Sequence, residues 1–250
     1  MAYSATIDND SVAALTAVQF RGRIVVVDCD DAVDAACDDL EHYDVIGFDT
    51  ETRPSFQAGV SHKVSLLQLS TPTTCYLFRL CRIRLSNRIL KILGSRRILK
   101  VGADVAGDIR SLHALRDFRE DGFVDLQHIA PHWGIEEKSL RKLSAIVLGM
   151  RVSKAQRLSN WEAGILTRQQ RDYAATDAWV CIRIFETLRR EEPLTPLGDI
   201  VCPPVSRTPK SDAKHSTHHR FKGRRPQTKA RSEAEQSAEV RHKEHKTDNI

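Results

Sequence analysis

The chain has 250 residues, 41% of them hydrophobic and 28% charged. That length supports one well-buried domain of roughly 200 residues, or two small ones. No run approaches the ~18 apolar residues of a membrane span, and the first ten residues lack the basic-then-apolar layout of a secretory signal; a soluble, cytoplasmic protein is expected.

The net charge of +5 is unevenly placed. From Pro203 onward 12 of the 38 Lys and Arg stand against 6 of the 33 Asp and Glu, which leaves 26 against 27 in the rest. A near-neutral body therefore precedes a basic tail suited to polyanions. The six cysteines are scattered, with no Cys-x-x-Cys pair, and read as reduced thiols acting as small buried hydrophobes.

Three regions are expected. Residues 1–22 form a weakly periodic leading segment, 23–202 the folded domain, and 203–250 a tail whose Pro, Ser, Lys, Arg and His content predicts disorder. Inside the domain the β-branched run 24–27 predicts a strand, and 31–40 a helix with acids in its first turn. Residues 45–53 predict a second strand ending in Asp49-Thr50-Glu51. Residues 63–70 alternate polar and apolar as a half-buried strand does; after a turn at 71–74, residues 75–80 complete an antiparallel meander. Helical spacing runs from Ser86 to Gly94, then a short strand at 98–102. Val105, Ile109, Leu112 and Leu115 form the stripe of a helix broken at Gly107, and 122–127 predicts a last strand. Residues 139–148 read as a helix closed by Gly149. The final helix, about 167–190, opens on a Thr167/Gln170 capping box and stops before Pro193. The fold class expected is α/β, a mixed sheet flanked by helices.

The chemistry concentrates in three places. Side chains two apart on a strand point the same way, so Asp49 and Glu51 make a negative corner that is costly to ionise without a cation. A metal site is the functional reading. Tyr173 and Asp177 are four apart on the last helix and share one face, set among alanines that let the helix lie close to the sheet. Asp177 then becomes a third carboxylate of the cluster. A fourth acid lies in residues 101–112, where spacing alone does not choose between Asp104 and Asp108.

Asp49-Thr50-Glu51 at a strand end, Gly102 followed by Gly107-Asp108, and Tyr173-x-x-x-Asp177 resemble, in that order, the three exonuclease motifs of the DEDD superfamily. Tyr173 marks the DEDDy subclass, which includes ribonuclease D and the Werner-syndrome exonuclease domain. Residues 47–56, 63–69, 157–161 and 173–178 extend the resemblance across roughly 24–190. It implies a ribonuclease H-like fold and 3′-to-5′ removal of nucleotides from DNA or RNA with a free 3′ end, with release of nucleoside 5′-monophosphates. It also implies two divalent cations, Mg2+ or Mn2+, held by Asp49, Glu51, Asp108 and Asp177, with Asp108 preferred to Asp104. Tyr173 would orient the attacking water and complete the catalytic set. Thr50, Lys63, Ser159 and Trp161 are the candidate substrate contacts, Trp161 by stacking on a base. Neither a nucleotide cofactor nor a membrane partner is expected, and no helical nucleic-acid-binding domain is expected after residue 200. The alternative is a catalytically idle nucleic-acid-binding or adaptor protein on the same fold.

Overall fold

The computed structural model describes residues 3–205; nearly all of the expected basic tail lies outside the described residues. The strands are β1 (Arg23–Val27), β2 (Val45–Thr52), β3 (Val64–Ser70), β4 (Thr74–Phe78), β5 (Leu99–Gly102) and β6 (Phe123–Asp125). They form one sheet in the order β1-β4-β3-β2-β5-β6. β2, β3 and β4 are the antiparallel meander, while β1 joins β4, and β5 and β6 extend from β2, in parallel.

Helices cover both faces. Leu67, Leu69, Tyr76 and Phe78 pack with apolar residues of α2 (Asp30–Leu40), α3 (Asn87–Leu93) and α4 (Val105–His113). The opposite face meets α5 (Leu126–Ile129), α6 (Leu140–Leu148) and α7 (Arg168–Leu188). This double cover corrects the expectation for β3: all seven of its residues are buried, Gln68 included. Its alternation marks two different interior faces, not an inside and an outside.

α7 is the longest helix, and its start is the capping box read from the sequence: Thr167 accepts from the Gln170 N–H while the Gln170 side chain accepts from the Thr167 N–H. Ala174, Ala175 and Ala178 are fully buried, so its backbone comes down onto the sheet. The closest approach is at Gly47 of β2, where an added Cβ would sit 1.9 Å from the Ala178 carbonyl oxygen. No larger residue fits there without moving helix or strand.

Two further expectations change. Gly107 does not break α4, which runs on through His113. The leading segment carries a helix, α1 (Asn9–Ala14), capped by Asp8; six residues are too few to display a period. It is docked, not loose. Val12 is fully buried and Phe20 is 4% exposed. Backbone bonds join Val18 N–H to the Arg151 carbonyl at 2.9 Å and Arg151 N–H to the Thr16 carbonyl at 3.0 Å. The Phe20 N–H donates to Thr176 Oγ1 of α7 at 3.1 Å. Three cysteines, Cys37, Cys75 and Cys181, are buried thiols as expected, whereas Cys29 and Cys81 are exposed. Among the described residues no helix is long and apolar enough to cross a membrane.

Candidate active site

β2 emerges from the sheet with Asp49 opposite Gln68 and Glu51 opposite Leu66 of β3. A bulge follows between Glu51 and Thr52, a device that re-aims side chains beside sites. α7 crosses this strand end and adds Asp177, which is only 7% exposed. One carboxylate oxygen each from Asp49, Glu51 and Asp177 lie within 4.8 Å of one another.

Asp108 reaches the cluster from α4. Its Oδ1 accepts from the Thr50 hydroxyl at 2.6 Å, and its charge is felt by Glu51. Asp104 is placed differently by the backbone. The Asp125 carboxylate, at the end of β6, takes the N–H groups of Asp104 and Val105 at 3.3 and 3.0 Å. Asp104 is thereby held in the left-handed region, φ 65°, exposed at the start of the helix. Asp108, one turn later, faces Thr50.

The electrostatics follow from burial of like charges. Burial first, then Asp49, Asp177 and Asp108, push the Glu51 carboxyl up to about 10. Burial pushes Asp177 up to about 7, against the Tyr173 hydroxyl that pulls it down. Asp49 is raised by burial and by Asp177. Asp108 is raised by burial and by Asp49, opposed by the Thr50 hydroxyl. Among the described residues no lysine or arginine is a cause of any of the four shifts. Asp177 Oδ1 is buried with no hydrogen-bond partner among the described residues. A compact set of carboxylate oxygens with no balancing cation and an orphaned acceptor fits hard divalent ions, which prefer such donors.

Tyr173 sits one helical turn before Asp177. Its phenol is raised by burial, then by the charges of Asp177, Glu51 and Asp49, so it keeps its proton at neutral pH. Trp161 packs against it, ring centroids 6.0 Å apart, and is fully buried. That overturns the stacking role expected for Trp161: an indole with no exposed face cannot receive a base. The Thr50 hydroxyl, expected to touch substrate, donates to Asp108 in this structure. Lys63 is exposed just before β3. The Ser159 hydroxyl donates to Gln156 Oε1 at 2.5 Å.

Gln156 belongs to a groove of about 440 Å³ that opens beside Tyr173 and Asp177. The leading segment contributes Gln19 and Arg21 to its wall, facing Ser153 and Gln169. Sequence reasoning did not find these residues; nothing in residues 1–22 signals proximity to a helix 150 positions later.

Carboxylates gathered at the end of a central strand of a mixed sheet, under a long crossing helix, define a ribonuclease H-like exonuclease domain. The same architecture is found in the Aedes aegypti Nibbler EXO domain, with TM-score 0.63 and 25% identity over 70% of this chain and 92% of that one. Escherichia coli RNase D shares the fold, with TM-score 0.61 and 21% identity over 67% of this chain and 44% of that one. The chain belongs to the 3′-5′ exonuclease family, whose model matches residues 24–192. It is 34% identical over 183 residues to the mouse bifunctional 3′-5′ exonuclease/ATP-dependent helicase WRN, a match over 68% of this chain. The chain spans 13% of the length of that protein.

Proposed function

We propose that this chain is an active 3′-to-5′ exonuclease that hydrolyses the last phosphodiester of a DNA or RNA strand with two divalent cations, Mg2+ or Mn2+. The observation that carries this reading is the convergence of Asp49, Glu51 and Asp177 within 4.8 Å with Asp108 behind Thr50. When bound, the ions supply activation of a water and neutralise charge on the phosphate and the leaving 3′ oxygen. Asp49, Glu51, Asp108 and Asp177 hold them. Tyr173 keeps its proton, so its hydroxyl orients the attacking water and does not remove a proton from it. Water adds to phosphorus, the bond to the penultimate 3′ oxygen breaks, and that oxygen takes a proton. A nucleoside 5′-monophosphate leaves and the strand is one unit shorter.

The groove beside Tyr173 receives the strand end. Arg21 offers charge to phosphate, and Gln19, Gln156 and Gln169 offer uncharged donors and acceptors. Lys63, exposed before β3, and Ser159 are the further phosphate contacts in this reading.

The test is a 5′-labelled oligonucleotide, DNA and RNA in parallel, incubated with Mg2+ or Mn2+ and separately with EDTA. Stepwise shortening only with metal, abolished by Asp49→Asn, is the expected result. Intact oligonucleotide under every metal, with nucleic acid still bound, would favour the idle binding protein.

A further inference from the structure

One buried polar side chain of the central sheet stands without partners. Gln68 of β3 is fully buried, and neither its Nε2 nor its Oε1 has a hydrogen-bond partner among the described residues. A buried amide left unbonded is costly, and an apolar residue of the same size would pack there without that cost. Its neighbour Ser70 has no such deficit, donating to the Thr71 carbonyl at 2.9 Å. Within β3 the unmet need is therefore particular to Gln68.

The register says what lies beside it. Gln68 pairs directly with Asp49 across the β2–β3 ladder, and directly opposed residues share one face with Cβ atoms about 5 Å apart. This is the face that α7 covers, at Gly47 through Ala178 and at Leu66 and Leu77 through Ala174 and Ala175. A second orphan belongs to the same cluster: Asp177 Oδ1, buried and unbonded. Two unsatisfied polar groups flank Asp49, one charged and one neutral.

We propose that Gln68 is a positioning residue for the ion cluster: its Nε2, unbonded in this structure, turns onto the Asp49 carboxylate when ions bind and fixes which oxygen faces a cation. The inference rests on the metal-site reading above and adds to it a residue that binds no ion itself. A neutral amide suits this place. A lysine would repel the cations, and another carboxylate would add to charges that already crowd one another.

The test is Gln68→Met, close in size and without polar atoms. Mn2+ binding to the metal-free protein is measured by calorimetry, alongside thermal melting without metal. The expected result is a Mn2+ dissociation constant raised about 10- to 100-fold with metal-free melting equal to or above wild type. A folded variant with wild-type Mn2+ affinity overturns the proposal and makes Gln68 a passive core residue. Should Gln68→Met melt below wild type, the same titration is made on Gln68→Leu. Asp49→Asn separates the two readings: if it leaves wild-type Mn2+ binding unchanged, the metal site and this inference fall together. If it abolishes binding while Gln68→Met does not weaken it, the inference alone falls.

Discussion

Replacing Gly47 with alanine probes the contact that brings Asp177 to Asp49 and Glu51. The new Cβ would sit 1.9 Å from the Ala178 carbonyl oxygen and 2.6 Å from its carbon, whereas a carbon–oxygen contact needs about 3.3 Å. Helix and strand must separate by roughly 1.4 Å, and the obstacle is backbone on both sides, so no side chain can rotate away. Overpacking of this kind costs about 1–3 kcal/mol, visible as a lower urea midpoint. The larger effect falls on chemistry. A displacement of ~1 Å within a reacting constellation costs about 10²-fold in rate, and Ala178 is the residue next to Asp177. Urea melts and single-turnover oligonucleotide shortening, run side by side, give both numbers. Gly198→Ala is the matched control, since nothing lies within 4 Å of its added Cβ, and it should stay within about 0.5 kcal/mol of wild type. If Gly47→Ala keeps wild-type stability and wild-type rate, the close approach of α7 does not set the site.

Thr50→Val removes the hydroxyl that holds Asp108 while preserving shape; the expected loss is about 10- to 100-fold in kcat with the oligonucleotide KM unchanged, the reverse of what a substrate contact would give. Trp161→Ala should cost about 3–5 kcal/mol in urea unfolding, whereas a base-stacking platform would raise KM and leave stability alone. The four acids titrate higher in the fold than in the unfolded chain, so their contribution to metal-free stability is fully present below about pH 4. It is lost as pH rises through about 7 for Asp177 and about 10 for Glu51. Ion binding needs ionised carboxylates, so the Mg2+-induced rise in melting temperature should grow between about pH 6 and about pH 8.5. Asp177→Asn should flatten that growth.

The parts of the site legible in the sequence are those with local signals. Alternation on one strand puts Asp49 and Glu51 on one face, one helical turn joins Tyr173 to Asp177, and Thr167 with Gln170 announces the start of α7. The choice between Asp104 and Asp108 was not legible from spacing. It is made by Asp125, twenty-one residues away from Asp104, whose carboxylate captures the helix N-terminus and turns Asp104 outward. Gln68 looked like the wet side of a strand because polar–apolar alternation does not say whether a second helical layer covers the polar face. Trp161 sits in a polar stretch, and its burial is decided by packing against Leu66, Leu77 and Ala174, elements far apart in the chain.

The docked leading segment separates two properties of the site. The family match begins at residue 24, yet Gln19 and Arg21 line the groove beside Tyr173. The four acids are tied to elements whose displacement would spread the carboxylate cluster. The groove wall is held instead by two backbone bonds to Arg151, by Thr176, by the Gln19 amide donating to Asp172 and by the buried Phe20 ring. Chemistry and groove wall are thus written in different stretches of the chain, and exchange of Gln19 and Arg21, with Phe20 kept, would recut the wall while leaving the carboxylates where they stand.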